Sequence, residues 1–312
     1  MKHPWPQSIT AHYRRLIDPT DSQDPLAKMV FYDSREENIV KTELLDPIGD
    51  QKHQVLPCLI HRYPGSVLVL TTPICPQNCR FCFRRCLPSS PPPDWPKIFS
   101  YIQTHPQIRE IIFSGGDPLT LAVSNWTQII KNLKPIRHLH FFRLHSRLPI
   151  ADPQTLSPDF FSLWPTDKNL TLVLHVNHPR EISPQTIKLL KTFRQHGWHL
   201  LSQTVLLKGV NDNSQVLKNL FLALWQNGVK PYYFHHLDSV PGTSHFRLSI
   251  SQGLKIFQSL RGQIPGPCLP TYVLDLPGGF GKVPVSWLKK IGPKTYQVKN
   301  FQGKTIIYTD PV

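Results

Sequence analysis

The sequence predicts an α/β fold: a partial, three-quarter β/α barrel of six parallel strands. Three observations carry that expectation. From Val67 onward, short β-rich runs alternate with longer helical patterns, and such alternation places parallel strands beside crossover helices. Six such units occur, short of the eight that close a full barrel. At 312 residues the chain suits one large domain or two small ones.

The elements follow in order. Strands are expected at Val67–Thr71, Glu110–Ser114, Leu139–Leu144, Leu170–Val176, His199–Leu206 and Pro231–His236. Helices are expected at Trp95–Thr104, Asn125–Asn132, Pro158–Trp164, Pro184–His196, Ser214–Asn227 and Ser249–Leu260. Ser183-Pro184 and Asn213-Ser214 each give a capping side chain followed by a favourable first helical residue. Residues 1–62 are polar and weakly periodic, and read as an arm packed on a barrel over 63–262. Residues 263–312 read as a cap, with a strand-like Tyr272–Leu276, a glycine-rich loop and β-like runs at Thr295–Val298 and Thr305–Tyr308. Proline is frequent, and Ser89-Ser-Pro-Pro-Pro93 is its one concentrated stretch.

Composition narrows the function classes. No apolar run approaches a membrane span and no secretory leader pattern opens the chain, so a cytoplasmic protein without membrane partners is expected. Lys and Arg number 35 against 20 Asp and Glu, an excess of 15 positive charges that attracts anions. These charges are scattered, without a basic run or an aromatic-interleaved patch, which disfavours nucleic acid as the partner. Six cysteines, three of them clustered, fit a metal site in a reducing compartment better than a disulfide framework.

Cys75, Cys79 and Cys82 directly follow the first expected strand. Three thiolates at this spacing can wrap one iron–sulfur cluster and leave its fourth iron without a protein ligand. An open iron is what a cluster needs to bind and split a small molecule. A structural zinc site is the rival, but such sites recruit a second cysteine pair downstream, and only Cys268 follows at a distance. Cys86, four residues past Cys82, is the harder rival, because a fourth thiolate closes the cluster. The spacing after a strand resembles that of radical S-adenosylmethionine enzymes. One strand later, Ser114-Gly-Gly-Asp117 resembles the element that holds the cosubstrate's methionyl amine, and His175 stands where the same likeness places a further contact.

A third motif is Leu274-Asp-Leu-Pro-Gly-Gly-Phe-Gly-Lys-Val-Pro-Val285, where three glycines give Lys282 the freedom a carrier lysine needs. It resembles the pyridoxal phosphate loop of the lysine 2,3-aminomutases. Blocks across most of the chain agree in order and separation, including His61-Arg-Tyr-Pro64, Arg80-Phe-Cys-Phe-Arg-Arg85, Arg143-Leu-His-Ser-Arg-Leu-Pro149, Asn177-His-Pro-Arg-Glu181 and Pro231-Tyr-Tyr-Phe234.

The resemblance implies an isomerase that converts L-α-lysine to β-lysine with a [4Fe-4S] cluster, S-adenosylmethionine and pyridoxal 5′-phosphate. It makes Lys282 the catalytic carrier lysine, Arg62 a phosphate contact and Gln203 part of the cofactor pocket. Arg84 becomes the clamp on the substrate carboxylate, a two-pronged match that lysine does not reproduce. Asp238 and Asp275 become the holders of the far ammonium. Ser66 and Cys86 depart from the family's basic residues. The runs Ile112–Leu119 and Leu144–Ile150 resemble the shorter branch that supplies β-lysine for elongation factor P, while the paired acids and the glycine-rich lysine loop resemble the longer, free-lysine branch. The partners implied are lysine and an external electron donor such as flavodoxin or ferredoxin, with elongation factor P, its lysyl-transferring enzyme and a second copy of the chain as candidates. A free-lysine aminomutase, a radical enzyme without pyridoxal phosphate and a basic iron–sulfur or zinc nucleic-acid module remain the alternatives.

Overall fold

A computed structural model describes residues 5–87 and 91–312. Pro88 and the Ser89-Ser90 pair that opens the proline-rich stretch lie outside the described residues. Ten strands form one sheet in chain order: β1 (Gln54–Leu56), β2 (Leu59–Tyr63), β3 (Ser66–Thr72), β4 (Glu110–Gly115), β5 (Phe141–Ser146), β6 (Asn169–His175), β7 (His199–Val205), β8 (Lys230–His235), β9 (Thr271–Leu276) and β10 (Gly281–Pro284). Strands β3 to β9 pair in parallel. The hairpin partners β1 and β2 extend one side and β10 the other, all antiparallel.

The expectation of six strands is therefore corrected to ten in the sheet, seven of them parallel. Tyr272–Leu276, read as part of a cap, lies within β9 and continues the parallel series beyond β8. Its crossover helix, Ile250–Ser259, was in plain view, but the loop and turn between them hid the unit. A separate antiparallel sheet of β11 (Lys289–Lys290), β12 (Thr295–Lys299) and β13 (Thr305–Thr309) follows.

The sheet has two unlike faces because side chains alternate along each strand. On β5, Phe142 and Leu144 are fully buried, while Arg143 and His145 face the other way and stay half-buried. Helices cover the apolar face with stripes of matching period. Val123–Leu133 buries Trp126, Ile129, Ile130 and Leu133. Ser214–Gln226 buries Leu217, Leu220, Phe221 and Leu224. The Ser183 and Asn213 side chains accept from Thr186 N and Gln215 N, as their positions predict. No helix among the described residues is long and apolar enough to cross a membrane.

The N-terminal segment docks by burying Tyr13, Leu26, Met29 and Val30 in the core and by specific polar contacts. Tyr13 Oη donates to Glu181 at 2.7 Å, and Arg80, fully buried, binds Glu36 through Nε at 2.7 Å and Nη2 at 2.6 Å. Gly49 has φ of +70°, and a β-carbon there would stand 2.3 Å from Gly279 N. Gly49→Ala is expected to cost about 1–3 kcal/mol, from backbone strain alone. Denaturant unfolding measures it, and an unchanged midpoint would show that the segment yields freely at this contact.

Candidate active site

Alternate residues on successive strands turn one sheet face into the wall of a single cavity of about 620 Å³. Ser114 comes from β4, Arg143 and His145 from β5, and His175 from β6. Gln203 comes from β7, Tyr233 and His235 from β8, and Asp275 from β9. The register aligns His175 with Gln203 and Gln203 with Tyr233, so the wall is a row across neighbouring strands. Most of these residues sit at the carboxyl ends of their strands, where parallel sheets gather function.

Opposite charges line the cavity. Arg62 donates to Ile48 O at 2.8 Å and to Asp50 Oδ1 at 2.9 Å, and Arg84 Nη2 stands 3.2 Å from Asp50 Oδ2. One buried carboxylate thus holds two guanidiniums, yet Arg62 Nε and Arg84 Nη1 keep no hydrogen-bond partner among the described residues. Elsewhere in the cavity, Lys282 lies directly across the β9–β10 pair from Asp275, and its ammonium is ion-paired with Asp275 Oδ2. His235 Nδ1 lies 3.4 Å from Lys282 Nζ and 3.5 Å from Asp275 Oδ2. Burial works to raise the Asp275 pKa, but Lys282 and His235 hold it well below the usual carboxylate range. Asp238 has the opposite fate: burial and then the Asp275 charge push it up to about 8. Burial also keeps His145, His175 and His235 neutral, with His175 down to about 3 and His235 to about 4. Each of these three rings leaves a buried Nε2 without a hydrogen-bond partner among the described residues.

The glycine run before Lys282 is a tight hairpin turn, which corrects the expected flexible loop. Gly278, Gly279 and Gly281 all have positive φ, and a β-carbon at Gly279 would come 2.7 Å from His53 Nε2. Glycine is needed there for close approach. Lys282 itself is on β10, with its backbone N–H donating to Tyr63 Oη at 3.0 Å.

The cysteine loop leaves the end of β3 and closes in a short 3₁₀ turn, Phe83–Cys86. Phe83 and Arg84 of that turn reach the cavity wall, whereas Cys75, Cys79 and Cys82 stand behind it. Burial raises all three thiols, Cys82 to about 11, and each also feels a neighbouring cysteine or carboxylate. Among the described residues no three His, Cys, Asp or Glu side chains converge as a single bound ion requires.

Gly115 and Gly116 hold this loop. Gly116 N donates to Thr72 O at 2.6 Å and Asp117 N to Ile74 O at 2.7 Å. A β-carbon on Gly116 would stand 2.2 Å from Ile74 O, so the space is filled by cysteine-loop backbone. Asp117, expected beside a ligand amine, has its carboxylate occupied instead. It accepts from Ser146 Oγ and Arg147 N at 2.7 Å, Leu148 N at 2.9 Å and Leu119 N at 3.0 Å.

Of the residues singled out from sequence, Arg62, Arg84, Ser114, His175, Gln203, Asp238, Asp275 and Lys282 share the cavity; Gly115, Gly116, Asp117 and the three cysteines do not line it. Asp50, Arg143, His145, Tyr233 and His235 were missed. Arg143 with His145, and Tyr233 with His235, alternate along β5 and β8, a period-two signal open to sequence reading. Asp50 sits in the irregular segment before β1 and carried no such signal.

A parallel sheet with a charged, largely buried cavity at its carboxyl ends defines an α/β enzyme. No family model matches the chain. Individual relatives do: it is 36% identical over 312 residues to the L-lysine 2,3-aminomutase of Clostridium subterminale, covering 98% of this chain and 75% of the relative. It is 35% identical over 315 residues to that of Methanococcus maripaludis, covering 98% and 73%, and 36% identical over 267 residues to that of Haemophilus influenzae, covering 84% and 79%. The chain belongs to the L-lysine 2,3-aminomutase family, whose members are isomerases.

Asp117→Asn tests the reassignment of that carboxylate. It leaves a buried backbone donor facing an amide nitrogen, a cost of about 1–3 kcal/mol. The ligand-free variant is expected to melt at lower temperature, and an unchanged melting temperature would return Asp117 to a ligand-binding role.

Proposed function

We propose that this chain is a radical S-adenosylmethionine enzyme that uses pyridoxal phosphate to convert L-α-lysine to β-lysine by 1,2-amino migration. One observation carries the reading: Lys282, Asp275 and Asp238 share a cavity with Arg62 and Arg84, and Arg84 belongs to the cysteine loop. The lining fits the groups proposed. Buried polar atoms nearly always find partners, and the orphaned Arg62 Nε, Arg84 Nη1 and three imidazole Nε2 atoms suit phosphate, carboxylate and hydroxyl groups. When bound, the [4Fe-4S] cluster with S-adenosylmethionine supplies radical chemistry, and pyridoxal phosphate a conjugated carrier for the migrating nitrogen.

The chain's own residues have definite tasks in this reading. Cys75, Cys79 and Cys82 hold the iron as thiolates, a form their burial disfavours until metal is present. Arg62 and Gln203 seat the polar groups of pyridoxal phosphate. Lys282 gives up its ion pair with Asp275 to carry the cofactor, and Asp275 then turns to the ε-ammonium of lysine beside Asp238. Arg84 binds the substrate carboxylate at the other end. Ser114, at the head of the Ser114-Gly-Gly-Asp117 turn, and His175 line the cavity and meet S-adenosylmethionine.

Three parts are proposed, an arm at 1–62, a curled partial barrel at 63–262 and a cap at 263–312. The likeness of Leu144–Ile150 to the shorter branch supports β-lysine supply to elongation factor P in the cytoplasm, with electrons from a flavodoxin or ferredoxin.

Anaerobic reconstitution followed by product analysis tests the whole reading. Reduced enzyme with S-adenosylmethionine and pyridoxal phosphate is expected to turn L-lysine into β-lysine, at least about tenfold faster than it converts glutamate or leucine, since each leaves buried carboxylates unpaired. Equal turnover of glutamate would remove lysine specificity. Lys282→Ala is expected to lose the visible band of lysine-bound pyridoxal phosphate while keeping its iron. A retained band would mean that another lysine carries the cofactor.

The pH dependence of binding has a fixed sign. Free Asp238 holds its proton up to about pH 8, whereas an ammonium beside it favours the carboxylate, so lysine binding expels that proton. Affinity should rise with pH toward that value and then level off, and Asp238→Asn should flatten the rise. Calorimetry in buffers of different ionisation heat counts the protons released at neutral pH; a count of zero in the wild type contradicts the assignment.

A further inference from the structure

Behind the cysteine loop lies a buried ion network that the proposed reaction does not use. Arg147 follows β5 and is almost wholly enclosed. Its guanidinium is ion-paired with Glu181 Oε1, reaches Tyr13 Oη at 3.3 Å and donates from Nη1 to His175 O at 3.3 Å. With the Gln77 amide turned so that its oxygen faces the guanidinium, Arg147 Nε donates to it at 2.7 Å. The same turn points the amide nitrogen away from Arg147. The guanidinium also lies 5.9 Å from the Phe81 ring centre. Arg147 therefore touches residues on both sides of Cys79. Glu181 is fully buried and is held by Tyr13 Oη at 2.7 Å, Asn177 N at 2.6 Å and His178 N at 3.0 Å.

We propose that Arg147 and Glu181 form an opposed charge pair that sets the reduction potential of the iron–sulfur cluster held by Cys79, Arg147 raising it and Glu181 lowering it. The inference rests on the cluster assignment above. Reduction adds one electron to the cluster from an external one-electron donor; no bond breaks and no proton moves. A buried cation next to one ligand stabilises the more negative reduced state, and a buried carboxylate opposes it, since charge and hydrogen bonds near the sulfurs tune such potentials. Arg147 is charged at any working pH, and its ion pair with Glu181 holds the guanidinium in place. It acts through Gln77 and Cys79 and is a positioning residue.

The test is an anaerobic titration with titanium(III) citrate, followed by electron paramagnetic resonance, on reconstituted wild type, Arg147→Met, Arg147→Lys and Glu181→Gln. Iron content is measured first, and a wild type that binds no cluster overturns the cluster assignment rather than this proposal. Arg147→Met is expected to shift the midpoint to lower potential, Glu181→Gln to higher, and Arg147→Lys to stay nearer the wild type than Arg147→Met. Loosened packing alone admits water and moves both neutral variants the same way. Shifts of like sign, or no shift, therefore overturn the proposal. Where Arg147→Met loads no iron, the upward shift in Glu181→Gln decides. Loss of iron from all three variants, with wild type loaded, also overturns it, because the pair then serves folding only.

Discussion

A single buried carboxylate, Glu36, ties the cysteine loop to the rest of the molecule. It accepts from Arg80 Nε and Nη2 and from Arg85 Nη2, at 2.7, 2.6 and 2.5 Å. Burial works against its charge, and the two guanidiniums restore it. Such a cluster adds little net stability over a well-packed apolar one, but losing one member strands a buried charge at a cost of about 3–5 kcal/mol. Its value is positional. Arg80 and Arg85 flank Cys82, and Arg80 also reaches Trp5 O at 2.9 Å. From the other side, the Gly115-Gly116 backbone locks Thr72 and Ile74. The loop between them is held by its backbone at one end and by its two arginine side chains at the other.

The same logic governs the cavity. Most charges in the cavity are matched by another protein charge: Arg62 and Arg84 by Asp50, Asp275 by Lys282. Among the described residues Asp238 has no such ion pair, and burial drives it toward the neutral form. A ligand with an anionic and a cationic end then exchanges partners with these pairs instead of uncovering bare charge. Desolvating an isolated ion in a protein interior is far more costly than trading one partner for another. The neutral imidazoles in the same cavity add hydrogen-bonding capacity, and His235 also helps keep Asp275 ionised.

Much of the fold was open to sequence reading because it is periodic. The expected helix at Trp95–Thr104 matches the structure residue for residue, and β3 to β8 lie within a few residues of their expected places. Helix ends were less secure: Pro158–Trp164 shrinks to Asp159–Ser162, because Leu163 and Trp164 turn into the aromatic cluster. The partnership of Lys282 with Asp275 depends on hairpin register, which turn geometry sets. Seven positions separate them, and no local pattern marks them as facing. Glu36 and Asp50 were hidden for a different reason. Each lies in an irregular segment where neither period applies, and each acquires its meaning from a partner far along the chain.

Glycine shows where a motif is legible and its meaning is not. Gly115-Gly116 and Gly278-Gly279-Phe-Gly281 both stand out in sequence, and both suggest backbone open to a ligand. In the structure their missing β-carbons make room for other protein: Thr72 and Ile74 in the first case, Gly49, His53 and Tyr63 in the second. A residue that lets two loops touch and one that lets a loop touch a cofactor look the same in sequence, since both need only the absence of a side chain. What separates them is which atoms occupy the space. In this chain the glycines set the positions of Cys75 and Lys282 through loop-to-loop contact, and the charged and imidazole side chains between those two points form the surface a ligand would meet.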